Sequence, residues 1–273
     1  LVPDNDMFFN GDIEKWKATA FTLKARYYMH WVETDLLYCD SALANANKGI
    51  SSLEGTMRAL HGTESSEQNM WYQFEQDRSG YMVAGSKLVQ LLKNNNDPRD
   101  SIYYGKIAGS INGASPNPDD AESASVKGKS YLNEEYFGAD ASIDIISYEE
   151  NLLIKAECHY LNNEISEAQQ ALQDAQTVAE EKWGFEEDTF PEISLTASAL
   201  LNKILEEKYV ALFLNLETWN DYKRNCYPNV SVADTKPPVR VYYPEDERKT
   251  NPNIPDVSSQ PLNNDNDTEE GCE

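Results

Sequence analysis

Apolar positions recur with a helical period at the two ends of the chain and lose that period between them. Ile13, Trp16, Ala20, Leu23, Tyr27 and Trp31 step by three or four residues, which places them on one face of a helix. A second helical segment, about 36–48, carries Ala42 and Ala46 four apart and meets Gly49, a residue suited to ending it. The period returns at Ser147, where Ser147-x-x-Glu150 is a capping-box pattern. Tyr148, Leu152, Ala156 and Tyr160 then recur every four residues, Asn162 and Asn163 interrupt, and Ala168, Leu172 and Ala175 lead to Trp183 and Gly184. A last helix covers about 197–215 with Leu201, Leu205, Tyr209, Leu212, Leu216 and Trp219 as its stripe. It continues to Arg224, and Pro228 prevents more. The pattern predicts an all-α fold with little or no β structure: a helix pair at 13–49, a second at 147–183 and a closing helix at 197–224.

Residues 50–146 read differently, because Gly, Ser, Asn, Asp and Pro are dense there. One helix is predicted, about Tyr81 to Lys93, with Met82, Leu88, Leu91 and Leu92 apolar and Asn94 to Pro98 as its stop. The remainder reads as long irregular loops, which are commonly functional when they interrupt a compact domain. Residues 1–253 are read as one helical domain and 254–273 as an irregular acidic tail. Within 147–183, Ala156 and Ala168 followed by Leu172 and Ala175 match the small–small–large–small spacing of a tetratricopeptide unit. Small residues let two helix axes approach, and the larger one fills the groove beside them. Ala42, Ala46 and Gly49 repeat part of that spacing. The long insertion separates the two pairs, unlike a solenoid that stacks its repeats directly.

Composition narrows the function classes. The 273 residues are 40% hydrophobic and 11% aromatic, enough for a substantial core. Lys and Arg total 23 against 47 Asp and Glu, a net charge of −24 that makes nucleic acid and anionic membrane surfaces poor partners. Cys39, Cys158, Cys226 and Cys272 are far apart, without the spacing of a zinc or redox motif. Cys39 and Cys158 fall in helical patterns and read as buried thiols, and a chain of this size does not need disulfides. No stretch approaches the ~18 consecutive apolar residues of a membrane span. The histidines, His30, His61 and His159, form no metal motif, and no nucleophile elbow, P-loop or dinucleotide fingerprint is present. No cofactor, metal ligand or catalytic residue is predicted, and the Asn- and Asp-rich stretch 263–270 lacks the spacing of a calcium loop.

Five stretches, in order, carry a family resemblance. Phe8-Phe9-Asn10-Gly11-Asp12 with Lys15-Trp16 and Leu23-x-x-Arg26 is the first. Asn96-Asp97-Pro98-Arg99 follows a Leu-rich helix. Ser147-Tyr148-Glu149-Glu150 with Lys155-Ala156-Glu157 is the third. Glu207 to Phe213 with Glu217 to Arg224 is the fourth. Arg240-Val241-Tyr242-Tyr243-Pro244 with Glu247-Arg248 and Asn251-Pro252-Asn253 is the last. Together they resemble the SusD/RagB nutrient-binding outer-membrane lipoproteins over about 8–253. The resemblance implies a protein at the outer face of the outer membrane that captures an oligosaccharide or peptide for a TonB-dependent transporter of the SusC type. It also implies an N-terminal part with an acylated Cys and further helix pairs, which this sequence lacks. The first helix is therefore expected to expose an apolar face. Arg26, Asp97, Arg99, Asp221 and Arg224 read as structural ion pairs whose partners the sequence does not assign.

A binding protein is the leading expectation, not an enzyme. Sugar rings stack on aromatic faces while charged and amide groups bond their hydroxyls. The insertion supplies Trp71, Tyr72, Phe74, Arg78, Tyr81, Tyr103 and Tyr104 as candidate ligand contacts. Trp16, Trp183 and Trp219 follow helix stripes or helix ends and read as packing residues. Two alternatives are a tetratricopeptide-type scaffold for a protein partner and an all-helical glycosidase, which needs two carboxylates ~5–10 Å apart across a cleft.

Overall fold

The computed structural model describes residues 5–115, 128–229 and 243–259. Among them, helices α1 (Ile13–Met29), α2 (Tyr38–Ala46), α7 (Tyr148–Leu161), α8 (Ile165–Trp183), α9 (Ala197–Ala211) and α10 (Glu217–Asn225) form the scaffold. The insertion contributes β1 (Met57–Ala59), α3 (Met70–Asp77), α4 (Ser86–Asn94), α5 (Arg99–Tyr103), α6 (Glu134–Phe137) and β2 (Ile143–Ile146). A short α11 (Glu245–Thr250) lies near the C-terminus. The fold is mostly helical, and β1 and β2 pair antiparallel as the one sheet among the described residues.

The Asp12 side chain accepts from Glu14 N and Lys15 N, at 2.9 and 3.1 Å, and so starts α1. The face that α1 buries is not its apolar stripe. Thr19, Thr22, Ala25 and Met29 are buried, whereas Ile13, Tyr27 and Trp31 are exposed, as are Leu36 and Leu37 in the turn that follows. Close approach explains the reversal. Thr22 Oγ1 accepts from Ile50 N at 2.9 Å and donates to Asn151 Oδ1 at 3.1 Å. Asn151 Nδ2 donates to Ala46 O and Ile50 O, both at 2.9 Å. A Cβ on Gly49 would run into Thr22 Oγ1 and stand 2.7 Å from Asn151 Oδ1. Small and polar residues win the inner face because three segments meet there with no room for aromatic rings. Cys39 and Cys158 are free thiols buried in the neighbouring core, with Cys158 Sγ 3.1 Å from Met29 Sδ. Cys226 is disulfide-bonded, a state that the spacing of the four cysteines left open.

The second pair matches its reading. Leu152, Ala156, Ala168, Leu172 and Ala175 are buried in one cluster with Leu200 and Ile204 of α9. Ser147 Oγ accepts from Glu150 N at 3.1 Å, but Glu150 does not reciprocate, because both its carboxylate oxygens bond Arg26 of α1 at 2.5 Å. Gly184, at φ +68°, ends α8 in the left-handed conformation that glycine adopts without strain.

The closing helix is two helices. Leu214 takes φ +63° between α9 and α10, and Leu216, assigned to the buried stripe, is 88% exposed. The break lets α10 fold back over α7. Lys208 Nζ then bonds Glu157 Oε2 at 2.8 Å and Asp221 Oδ1 at 2.7 Å. Arg224 closes the ring onto Glu157 and, at 2.8 Å, onto Asp221 Oδ1. Burial opposes charging Lys208 and Arg224, yet the carboxylates outweigh it and raise both pKa values. Arg224 and Asp221 do form a structural ion pair, as do Arg99 with Asp97 and Arg26 with Glu150.

The insertion departs further from its sequence reading. Four short helices and two strands replace most of the expected loops. The helix expected from Tyr81 begins only at Ser86, because Ala84 N bonds Ser130 O at 2.8 Å and Ser86 N bonds Ala114 O at 2.8 Å. Those contacts hold the preceding backbone extended, which local propensity alone cannot show. The stop at Asn94–Pro98 is where it was expected, with Asp97 N on Leu92 O at 2.8 Å. The fully buried Arg99 joins insertion to scaffold, reaching Asp97 Oδ2 at 2.6 Å and Glu207 Oε1 of α9 at 2.5 Å. The stretches 116–127, 230–242 and 260–273, which include 263–270 and part of the last family-like motif, lie outside the described residues.

Candidate functional site

Where the insertion meets the ends of α8 and α9, a cleft of about 420 Å³ opens. That is within the range of small-ligand sites. Its walls come from the 3-10 turn Leu53–Gly55, β1, α3, α6, β2, the C-terminal end of α8 and the turn after α9. One wall is aromatic. Trp183 meets Tyr103 and Tyr136 edge-on, both at 6.0 Å between ring centroids, and Phe137 at 6.4 Å. Tyr103 stacks on Phe213 at 4.3 Å. Tyr136, Phe137, Trp183 and Phe213 are half-buried, so they combine packing with an accessible surface.

Trp71 enters the cleft from α3, and its position depends on one amide. Asn69 is fully buried, and its Oδ1 caps α3 by accepting from Trp71 N at 2.9 Å. Its Nδ2 donates to Ala141 O at 2.8 Å, and its own N–H donates to Ala139 O at 2.7 Å. The capping residue therefore also ties α3 to the segment that leads into β2.

The adjoining wall is charged, with Lys182 Nζ 5.0 Å from the centre of the Trp183 ring. Arg58 Nε donates to Asp144 Oδ1 at 2.7 Å, while Lys182 Nζ bonds Asp144 Oδ2 at 2.9 Å and Glu149 Oε2 at 2.6 Å. A β-bulge creates this meeting. Met57 pairs with Ile146 and Arg58 pairs with Asp144, so Ile145 is the extra residue on β2. In a regular ladder Arg58 would face Ile145. Burial favours the neutral form of Asp144, but Lys182 and Arg58 outweigh it and hold the carboxyl below its ordinary range. Burial likewise opposes a charged Lys182, and Glu149 and Asp144 more than offset it. The cluster is thus two cations and two carboxylates in a partly desolvated wall.

The candidate contacts from the sequence separate into three groups. Trp71 lines the cleft. Phe74, Arg78 and Tyr81 lie outside it on an exposed face, where Arg78 stands 5.8 Å from the Tyr81 ring and Tyr81 is 73% exposed; Tyr72 is half-buried and also outside the lining. Tyr103 and Tyr104 are buried: Tyr103 still lines the cleft as part of the aromatic wall, with its hydroxyl donating to Val210 O at 2.8 Å, and Tyr104 packs in the core beside it, outside the lining. Burial pushes the pKa of both tyrosines up. Sequence reasoning missed Arg58, Asp144, Lys182, Tyr136 and Phe137, and assigned Trp183 to packing alone. The adjacent aromatics Tyr136-Phe137 inside a polar stretch were the one local signal; the charged wall joins residues 86 and 38 positions apart and leaves none. Among the described residues no group of three His, Cys, Asp or Glu side chains could hold a metal ion, and no helix is long and apolar enough to cross a membrane.

A helix-pair scaffold that carries an aromatic and charged cleft on a long insertion defines a ligand-binding protein class. The chain belongs to the SusD-like family described as “Starch-binding associating with outer membrane”, whose profile matches residues 2–244. A SusD homolog from Bacteroides fragilis superposes with a TM-score of 0.73 at 19% identity, covering 89% of this chain and 63% of its own. One from Bacteroides vulgatus gives 0.73 at 17%, covering 93% and 61%. A structure named as a chitin-binding protein gives 0.68 at 22%, covering 90% and 61%. These similarities show the fold. The chain spans less than two thirds of the length of each of these three structures. No curated protein matches it.

Proposed function

We propose that this protein captures an oligosaccharide at the cell surface, in the cleft between the insertion and the scaffold, for uptake by a TonB-dependent transporter of the SusC type. The observation that carries this reading is the meeting of an accessible aromatic wall with the Arg58–Asp144–Lys182 cluster in one cavity. Pyranose rings have apolar faces that stack on Trp and Tyr, and hydroxyls that need fixed donors and acceptors. Family membership supports a nutrient as the ligand and the outer membrane as the place. In this reading a lipid anchor preceding the helices holds the protein at the membrane, and metabolic labelling of the full gene product with a fatty-acid analogue tests that part.

The direct test is calorimetry against a panel of maltoheptaose, cellohexaose, chitohexaose, xylohexaose and short peptides, with the products checked for turnover. Binding without turnover that is abolished by Trp71→Ala or Trp183→Ala supports the reading. Binding that ignores both substitutions moves the ligand elsewhere, and hydrolysis of any glycan overturns a pure binding role.

A further inference from the structure

We infer that Arg58 is the ligand-orienting residue of the cleft, gripping a pair of neutral sugar hydroxyls, and that Glu54 and Glu181 at its rim select against anionic glycans. The inference rests on the cleft being the ligand site. It goes further by naming the residue that sets orientation and the charge class that is turned away.

Arg58 and Lys182 both line the cleft, yet only Arg58 has a pair of donors on one rigid plane to offer, since two of the three N–H groups of Lys182 are taken. Lys182 is held between Asp144 and Glu149 and its side chain is 16% exposed. Arg58 uses only Nε, on Asp144, and its side chain is 33% exposed. Its two terminal amino groups have no partner among the described residues. A guanidinium anchored through Nε presents a rigid planar fork, which suits two oxygens at a fixed spacing better than a single one. The bulge at Ile145 and the bond to Asp144 fix where that fork sits.

A carboxylate would also fit a fork, so the surroundings decide. Arg58 and Lys182 are two cations beside Asp144 and Glu149, and although burial raises the Glu149 pKa, the rim carboxylates leave the cleft no net positive charge to attract an anion. Glu54 and Glu181 line the same cleft, are exposed, and form no ion pair among the described residues. Hydrogen bonds from its own backbone N–H and from Ser52 hold the Glu54 carboxyl below its ordinary pKa, so it is ionised at neutral pH. An anionic ligand therefore approaches the fork past two like charges on a chain of net charge −24. A hydroxyl pair carries no charge and meets no such opposition.

The experiment uses whichever of maltoheptaose, cellohexaose and chitohexaose binds most tightly, together with the same oligosaccharide oxidised at its primary hydroxyls to uronates. The pair differs in charge and not in linkage. The neutral form is expected to bind at least tenfold more tightly at low salt, with the gap narrowing as salt is raised. Glu54→Gln combined with Glu181→Gln is expected to recover much of the loss for the oxidised form and leave the neutral form within about twofold. Arg58→Lys keeps a cation beside Asp144 but removes the fork, and is expected to weaken the neutral ligand about tenfold while the melting temperature holds. Equal or tighter binding of the oxidised form overturns the charge selection. Full affinity in Arg58→Lys and Arg58→Gln, with Trp71→Ala still abolishing binding, overturns the role of Arg58 and leaves the cleft standing. Loss of no binding in Trp71→Ala or Trp183→Ala instead removes the cleft itself.

Discussion

Around α7, helices approach through Ala156, Ala168, Ala42 and Gly49 and are locked by fully buried charges, whereas the insertion closes through single amides, edge-on aromatic contacts and a two-stranded ribbon. The difference is one of redundancy. Glu157 is held by both Lys208 and Arg224, and the same carboxylate system reaches Asp221, so no one contact carries the scaffold. In the insertion, Asn69 caps α3 and ties it to residues 139 and 141, and Arg99 supplies the ion pair that welds α5 to α9 beside one hydrogen bond from Tyr103 to Val210. A dense frame beside a region resting on a few contacts puts the cleft on the part whose shape is easiest to vary.

The largest test of this contrast is acid. Attraction to Arg224, Arg99 and Lys182 outweighs burial and holds Glu157, Glu207 and Asp144 below their ordinary pKa values of 4.5, 4.5 and 3.8. Because the folded pKa values are depressed, the stabilisation is complete above those unfolded values and drains away as pH falls beneath them. Urea midpoints should therefore drop below about pH 4.5, in part offset by Glu149 and Glu150, whose pKa values burial raises and which favour the folded state as pH falls. A flat profile to pH 3 would mean the buried carboxylates are not ionised in the folded protein.

Next in size is the weld. Arg99→Ala strands Asp97 and Glu207 in the core and should cost about 3–5 kcal/mol by urea denaturation. Proteolysis is expected to cut first within the insertion; equal susceptibility of α7 and α8 would contradict the contrast between the regions. Gly49→Ala forces a Cβ against Thr22 and Asn151 in the scaffold, and about 1–3 kcal/mol of destabilisation is expected by the same method. Asn69→Ala removes a cap and should cost about 1 kcal/mol, while weakening ligand binding through Trp71 more than that small loss suggests. Unchanged binding with lowered stability would separate the cap from the site. Smallest is Glu14→Gln: its partner Lys17, 2.7 Å away, is 58% exposed, and the change should stay within ~0.5 kcal/mol.

Much of the scaffold was legible because short-range chemistry writes it. The Ser147 cap, the Gly184 terminator, the Asn94–Pro98 stop and the Ala156, Ala168, Leu172, Ala175 spacing each act within a turn or two of the residues that form them. The apolar face that the first helix was expected to expose is there, at Ile13, Tyr27 and Trp31, but the stripe did not show which face packs. Periodicity finds an apolar face, but the tightest packing sits on Thr22, Ala25 and Gly49, where small size matters more than hydrophobicity. Of the site, Trp71 and Tyr103 were visible as aromatics outside the helical stripes that line the cleft. Trp183 looked like packing because it ends a helix, and only the approach of α6 turns its edge into a wall.

Helix existence, the two pairs, the acidic field that repels polyanions and the family were thus determined by the sequence, through propensity, capping, small-residue spacing and charge, all local or additive properties. Tertiary structure alone decided the pairing of Arg58 with Asp144, the sharing of Asp144 with Lys182, the break at Leu214 and the outward turn of Tyr27 and Trp31. Those features join side chains far apart in the chain, and one inserted residue, Ile145, sets which of them face each other; such a register is a property of the packed ribbon and of no segment within it.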